Sequence, residues 1–153
     1  MMLRLSMVFV FVLVMGLSAS AMIRTLPFPE LVRQAEIIAI VTVTEQTQSP
    51  VPGKDYPKVD TTVEVERVLK GALKEKDTLS FTSYGTEEKY LEDSPIFPPK
   101  GKKAVLFLVE KDGQKVLLNG IQGLWPLEAG TNKTLGMGFR YSIEKIEEEL
   151  KKN

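Results

Sequence analysis

Neither cysteine nor histidine occurs in the 153-residue sequence. Without cysteine the chain forms no disulfide, offers no thiolate to a metal and lacks the lipid-attachment residue of a bacterial lipoprotein signal. Without histidine it has no Ser-His or Cys-His catalytic couple and no His-ligated zinc or iron site. We therefore expect no tightly bound transition metal and no cofactor, and any catalysis would rest on carboxylates, lysine or serine.

An excess of either charge is also absent, since 20 basic residues balance 20 acidic ones. A nucleic-acid-binding domain normally carries a basic excess, so we expect no nucleic-acid partner. The length suits a single domain whose core is large enough to fold without disulfides or a metal.

The N-terminus carries the strongest motif in the sequence. Arg4 precedes an apolar run, and the run ends in the small-residue stretch Ser18-Ala19-Ser20-Ala21. A basic start, a short apolar stretch and an A-x-A end are typical of a secretory signal peptide. We predict a signal peptide at residues 1–21 and a mature domain at 22–153, secreted or otherwise outside the cytoplasm. The alternative is a membrane anchor at residues 5–23, which has just the length to cross a bilayer; only such an uncleaved segment would tie the chain to a membrane.

The mature region predicts a mainly β domain with a helix at each end. Apolar residues at helical spacing predict a helix at 28–36, and Ile143, Ile146 and Leu150 form one stripe of a helix at 142–152. Five segments have the patterns of main strands: residues 37–45, 59–71, 77–85, 104–109 and 114–120. Residues 123–127 add a short extended piece. Asp112-Gly113 suits a two-residue type I′ hairpin turn, whereas residues 46–58 and 86–101 are rich in proline and are predicted loops. Consecutive antiparallel strands of this number favour a small closed barrel, and an open sheet with helices on one face is the alternative.

Inward-facing strand positions predict one apolar core. Its members are Ile40, Val41, Val43, Val63, Val65, Leu79, Phe81, Leu106 and Leu108.

Three stretches carry a family resemblance: FPELVRQAEIIAIVTVTE, TTVEVERVLKG and FPPKGKKAVLFLVEKDGQKVLLNGIQG. They resemble small exported prokaryotic proteins of unknown function whose fold is similar to the OB-like barrel of metalloproteinase inhibitors and netrin modules. The resemblance implies a five-stranded OB-like antiparallel barrel with a short N-terminal helix and a C-terminal helix. Those inhibitors chelate a protease zinc through an N-terminal cysteine. That mechanism cannot apply to a chain without cysteine, so we transfer no functional residue.

Aromatic residues in the predicted loops are the candidate ligand-binding site. Tyr56, Tyr90 and Phe97 are the ones that strand periodicity explains least. OB-type barrels bind ligands with strand faces and flanking loops, often through stacked aromatics. We therefore predict a ligand site between the two long loops, against the alternative that these rings are packing residues.

Other candidate groups carry weaker patterns. The acids Glu87, Glu88, Glu92 and Asp93 lack the spacing of a calcium loop. Lys100, Lys102 and Lys103 form a basic run that more often keeps a strand entry soluble than binds phosphate. Ser80 or Ser83 could pair with a lysine, but no S-x-x-K motif supports it. Asn132-Lys133-Thr134 is a glycosylation sequon only in a eukaryotic secreting cell.

The sequence thus favours a non-enzymatic binding or interaction module outside the cytoplasm, with a protein, peptide or glycan as partner. One alternative is a hydrolase that uses carboxylates or a Ser/Lys pair. The other is a structural accessory protein of the cell envelope.

Overall fold

The computed structural model describes residues 24–135 and 141–153. The predicted signal peptide at 1–21, the new N-terminus at Met22 and the alternative anchor at 5–23 lie outside the described residues and remain predictions. Among the described residues, no helix is both long and apolar enough to cross a membrane.

The described chain is mainly β, as predicted, with two helices and an antiparallel sheet of six strands. Helix α1 spans Phe28–Gln34 and α2 spans Ile143–Leu150. The strands are β1 Ile37–Pro50, β2 Pro57–Lys70, β3 Thr78–Tyr84, β4 Lys103–Lys111, β5 Gln114–Leu117 and β6 Leu124–Pro126.

Both helices form where the sequence places them, and each packs an apolar face onto the sheet. Helix α1 has a proline in its first turn, where no amide partner is needed, and buries Leu31 and Val32. At α2 the Ser142 side chain accepts a hydrogen bond from the Lys145 backbone N–H at 3.2 Å, an N-cap that fixes the start of the helix. Ile143 and Ile146 of that helix are buried.

The hairpin between β1 and β2 corrects the prediction of a loop at residues 46–58. The two strands stay paired as far as Pro50 opposite Pro57, which leaves only residues 51–56 as the turn. Two prolines are tolerated because they lie at the last pair of the ladder, where a missing N–H breaks no inner hydrogen bond. Antiparallel pairing with a neighbouring strand therefore overrides the local turn composition.

The turn between β4 and β5 has the predicted geometry. Asp112 and Gly113 have φ values of 52° and 75°, both in the left-handed region that a type I′ turn requires. β5 therefore returns directly along β4.

The sheet is open in the described residues. Its strand order is β3-β2-β1-β4-β5. β6 lies on the same side of β4 as β5 and pairs with the N-terminal part of β4, whereas β5 pairs with its C-terminal part. The outer side of β6 is covered by the chain that follows, because Leu135 N–H donates to the Pro126 carbonyl at 2.7 Å. β3 and β5 remain as edges, so the predicted closed five-stranded barrel is not confirmed.

Two apolar cores lie on opposite faces of the sheet. One face, here called the helix face, packs under α1 and α2 and includes Ile38, Ile40 and Phe107. The other, the concave face, holds the remaining predicted core residues: Val41, Val43, Val63, Val65, Leu106 and Leu108 are buried there, and Leu79 and Phe81 pack against them. The prediction that Ile40 shares this core is wrong, because alternation along β1 turns it to the helix face.

Candidate functional site

On the concave face the core residues are buried, and partly buried apolar side chains remain at the sheet edges: Leu79 and Phe81 of β3 and Leu117 of β5. No helix of the described chain packs on it; the segment between β3 and β4 crosses it instead and inserts Phe97. Phe97 is 5% exposed, and its ring stacks on Phe81 with centroids 5.2 Å apart. Phe97 therefore adds a buried aromatic side chain to the concave-face core.

A groove of about 660 Å³ lies between the two edges of the sheet, β3 and β5, and we call it the edge groove. Its apolar lining comes from Leu79 and Phe81 of β3, Phe97 of the crossing segment and Leu117 of β5. These four side chains belong to the concave-face core or pack against it. The groove is therefore a cleft into the core between two strand edges.

The backbone of β3 presents unpaired groups to this groove. Gly85 N–H donates to the Pro57 carbonyl and Val65 N–H donates to the Asp77 carbonyl, each at 2.8 Å. Both hydrogen bonds belong to the same register of β2 and β3, in which Thr61 lies opposite Phe81. In an antiparallel ladder bonded and non-bonded residues alternate, so the N–H and C=O groups of Ser80 and Thr82 point away from β2 towards the edge groove.

β5 presents its edge in the same way. Leu118 N–H donates to the Phe107 carbonyl at 2.8 Å, in the register that sets Leu117 opposite Leu108. Alternation then turns the backbone groups of Lys115 and Leu117 away from β4. Both walls of the groove thus offer hydrogen-bonding backbone.

Strand direction decides what could lie between these walls. Each neighbouring pair in the order β3-β2-β1-β4-β5 is antiparallel, so β3 and β5 run in the same direction through the sheet. Direct pairing of the two edges would be parallel. One additional strand, running against both, would instead complete an all-antiparallel ring.

β3 also lacks the devices that usually protect an edge. Natural edge strands carry lysine, proline or inward charges that discourage a further strand from pairing. The seven residues of β3, TLSFTSY, contain none of these. At the C-terminal end of β3 the Tyr84 N–H donates to the Ser94 hydroxyl at 2.9 Å and so occupies one group of the open edge.

The structure separates the three residues predicted to bind ligand. Tyr90 is 63% exposed, whereas Phe97 is buried in the concave core. Tyr56 lies at the end of the β1–β2 turn, edge-on to Tyr84 with ring centroids 6.4 Å apart. Tyr56 and Tyr90 thus lie near the C-terminal end of β3. Phe97 lies further along the segment between β3 and β4, where it lines the edge groove.

The predicted position between the two long loops does contain a cleft. A cavity of about 490 Å³ is lined by Gln46 and Gln48 of β1 and by Glu87, Glu88 and Phe97 of the crossing segment. Neither predicted tyrosine lines it. It adjoins the edge groove, since Phe97 lines both.

The acidic cluster does not form a metal centre in the part of the chain that the structure describes. Glu87, Glu88, Glu92 and Asp93 are all exposed, and no group of three or more carboxylates at residues 24–135 and 141–153 is arranged to hold an ion. None of the four forms a salt bridge with a described residue.

The basic run at residues 100–103 lies beside a cleft of about 520 Å³ that Ile40 and Ile143 also line. Lys103 Nζ lies 2.8 Å from a Glu66 carboxylate oxygen, and Thr42 donates to the other oxygen. Burial opposes ionisation of Glu66, but the hydrogen bonds from Lys103 and Thr42 outweigh it and hold its pKa below the ordinary value for glutamate. The ion pair joins the entry of β4 to β2.

The serines and the sequon lie apart from any catalytic arrangement. Ser80 is exposed and its hydroxyl lies 3.5 Å from that of Thr62, while Ser83 is buried; neither bonds to a lysine of the described chain. Asn132 donates to a Glu144 carboxylate oxygen at 2.9 Å, a bond that lowers the pKa of Glu144.

Sequence reasoning missed the edge groove. The strand pattern identified β3 and β5 but not that both are edges, because strand order depends on long-range pairing. The available signal was the uncharged run of β3, which is unusual for an edge.

Comparison of the chain with protein-family models, with curated proteins and with solved structures finds no match in any of the three.

Proposed function

We propose that this chain is an exported, non-enzymatic binding module that takes up an extended segment of another protein as an additional β-strand. The observation that carries the proposal is the edge groove, in which unpaired backbone of β3 and β5 flanks an apolar floor. Strand addition to an exposed edge is a recurrent mode of peptide recognition, in which backbone bonds give affinity and side-chain pockets give specificity.

The fold proposed for this function is an OB-like barrel that is open between β3 and β5. In the described part of the chain the strand order leaves β3 and β5 as the two edges of the sheet, and an incoming strand would run antiparallel to both. The resemblance to metalloproteinase inhibitors and netrin modules fits such a barrel, and the signal pattern at residues 1–21 supports a location outside the cytoplasm.

Backbone hydrogen bonds and apolar burial would both contribute to the binding free energy of an added strand. Ser80 and Thr82 offer four backbone hydrogen bonds between them, and each contributes about 0.5–1.5 kcal/mol net. Alternate side chains of the ligand would enter the groove over Phe81 and Leu117 and bury apolar surface. The floor is already part of the core, so the site needs little ordering before it binds.

A proline placed on the open edge tests the proposal. Ser80→Pro removes an N–H that faces the groove and leaves the ladder to β2 intact, whereas the matched Ser80→Ala keeps that N–H. The probe is a phage-displayed library of random twelve-residue peptides, selected on the purified protein. We expect enrichment of sequences with alternating apolar residues on the parent protein and on Ser80→Ala, and its loss on Ser80→Pro.

Two outcomes would contradict strand addition. One is a library that yields no enriched sequence on the parent protein. The other is a set of enriched peptides that bind Ser80→Pro as well as they bind the parent, while circular dichroism and thermal unfolding show both proteins folded.

A further inference from the structure

An exposed aromatic surface lies at the C-terminal end of β3, and we call Tyr56, Tyr84, Tyr90 and Leu91 the tyrosine surface. Tyr84, Tyr90 and Leu91 are 38%, 63% and 41% exposed, and they are three of the four exposed large hydrophobic residues in the described chain. Single exposed apolar residues are ordinary, but a cluster of them marks an interaction surface.

The backbone joins the tyrosine surface to the edge groove. Gly85 forms an isolated antiparallel bridge with Tyr90, which holds Tyr90 beside the end of β3. Four residues later the Ser94 hydroxyl accepts the Tyr84 N–H, and the next residue, Pro95, lines the edge groove. A strand paired with β3 must therefore leave the edge at Tyr84 and pass onto the tyrosine surface.

The electrostatic character of this surface indicates the chemistry of the partner. Residues 84–95 contain four exposed carboxylates and a single lysine, Lys89. Because no described cation neutralises these carboxylates, a positively charged segment would gain favourable contacts there. Lysine and arginine also bind the faces of tyrosine rings.

We propose, building on the function proposed above, that the added strand runs antiparallel to β3 and is preceded by lysine or arginine residues that seat on the tyrosine surface. An antiparallel strand begins opposite the C-terminal end of its neighbour, so the residues before it meet Tyr84 and Tyr90. The partner is therefore a basic extended polypeptide whose positive charge lies N-terminal to its alternating apolar stretch.

The peptides enriched from the library test this orientation directly. We expect lysine or arginine in the two or three positions before the alternating stretch. In a synthetic fluorescein-labelled peptide of that type, replacing these residues with glutamine should weaken binding about fivefold at low salt. That ratio should approach one at about 0.5 M NaCl, where charges are screened.

Protein variants locate the contact. Tyr90→Ala and the double variant Glu87→Gln/Glu88→Gln should each remove most of the difference between the basic and the glutamine peptide. Glu148→Gln, an exposed carboxylate on α2, is the matched control and should preserve the difference.

The outcomes separate this inference from the proposed function. Alternating peptides enriched without a basic flank, or with the flank at the C-terminal end, would overturn the inference and leave strand addition standing. So would a charge preference that survives both variants. A library without any enriched peptide would overturn both proposals.

Discussion

Phe97 could be a packing residue of the concave-face core or a ligand-binding residue. The stability of the variant Phe97→Ala distinguishes the two roles. The residue is 5% exposed. A buried phenylalanine removes on the order of 150 Å² from water, which at about 25 cal/mol per Å² corresponds to roughly 4 kcal/mol. The stacked contact with Phe81 adds to this value. We therefore expect Phe97→Ala to lower the free energy of unfolding by about 3–5 kcal/mol.

Equilibrium unfolding in urea, followed by tryptophan fluorescence and circular dichroism, measures the change. Tyr90→Ala is the control, because a residue that is 63% exposed should lose less than about 0.5 kcal/mol on truncation. Phe97→Leu should lie between the two, since leucine still fills most of the site. A loss below about 1 kcal/mol for Phe97→Ala would refute the reasoning, because the ring could not then be covering the concave core.

Four further results are expected. Leu106→Ala, which truncates a fully buried residue of β4, should lower the free energy of unfolding by about 2–5 kcal/mol in the same urea assay, and a change below about 1 kcal/mol would mean that this strand is not central. Gly85→Ala should destabilise by more than Gly101→Ala does: both glycines have positive φ, but only at Gly85 would an added Cβ meet backbone, at 2.5 Å; equal losses would contradict the close approach. The pKa of Glu66 is lowered in the folded protein, so its contribution to stability is fully present above the unfolded pKa near 4.5 and is lost as the pH falls through the lower folded pKa. The free energy of unfolding of Glu66→Gln should therefore vary less with pH over that window than that of the parent protein. An unchanged pH profile would argue against the ion pair. N-terminal sequencing of the exported protein should begin at Met22, whereas a full-length product retained in membranes would support the anchor.

Local sequence patterns were sufficient for most of the secondary structure, though not for the paired ends of β1 and β2. The apolar run of β4 marks a buried strand, the Asp112-Gly113 pair fixes a type I′ turn, and Ser142 caps α2. Each of these depends on residues close together in the chain, so each is visible without knowledge of the fold. The alternation that places Val63 and Val65 inward is local in the same sense.

Long-range pairing decided what the local patterns could not. Proline at positions 50 and 57 suggested a loop, but the opposing strands stay paired to that point because neither proline lies inside the ladder. Phe97 was predicted to contact ligand because it lies in a predicted loop and strand periodicity does not explain it. The fold turns it into the concave core, which no pattern within residues 86–101 indicates.

Composition alone excludes chemistry that needs a thiolate or an imidazole, because the chain has no cysteine and no histidine. The N-terminal pattern predicts export. The site, in contrast, depends on tertiary structure: β3 and β5 are edges only because β2, β1 and β4 lie between them in the sheet. Edge status is a property of strand order, and strand order follows from pairings between residues far apart in sequence. Thus the residue types exclude some chemistries, and the strand order forms the edge groove.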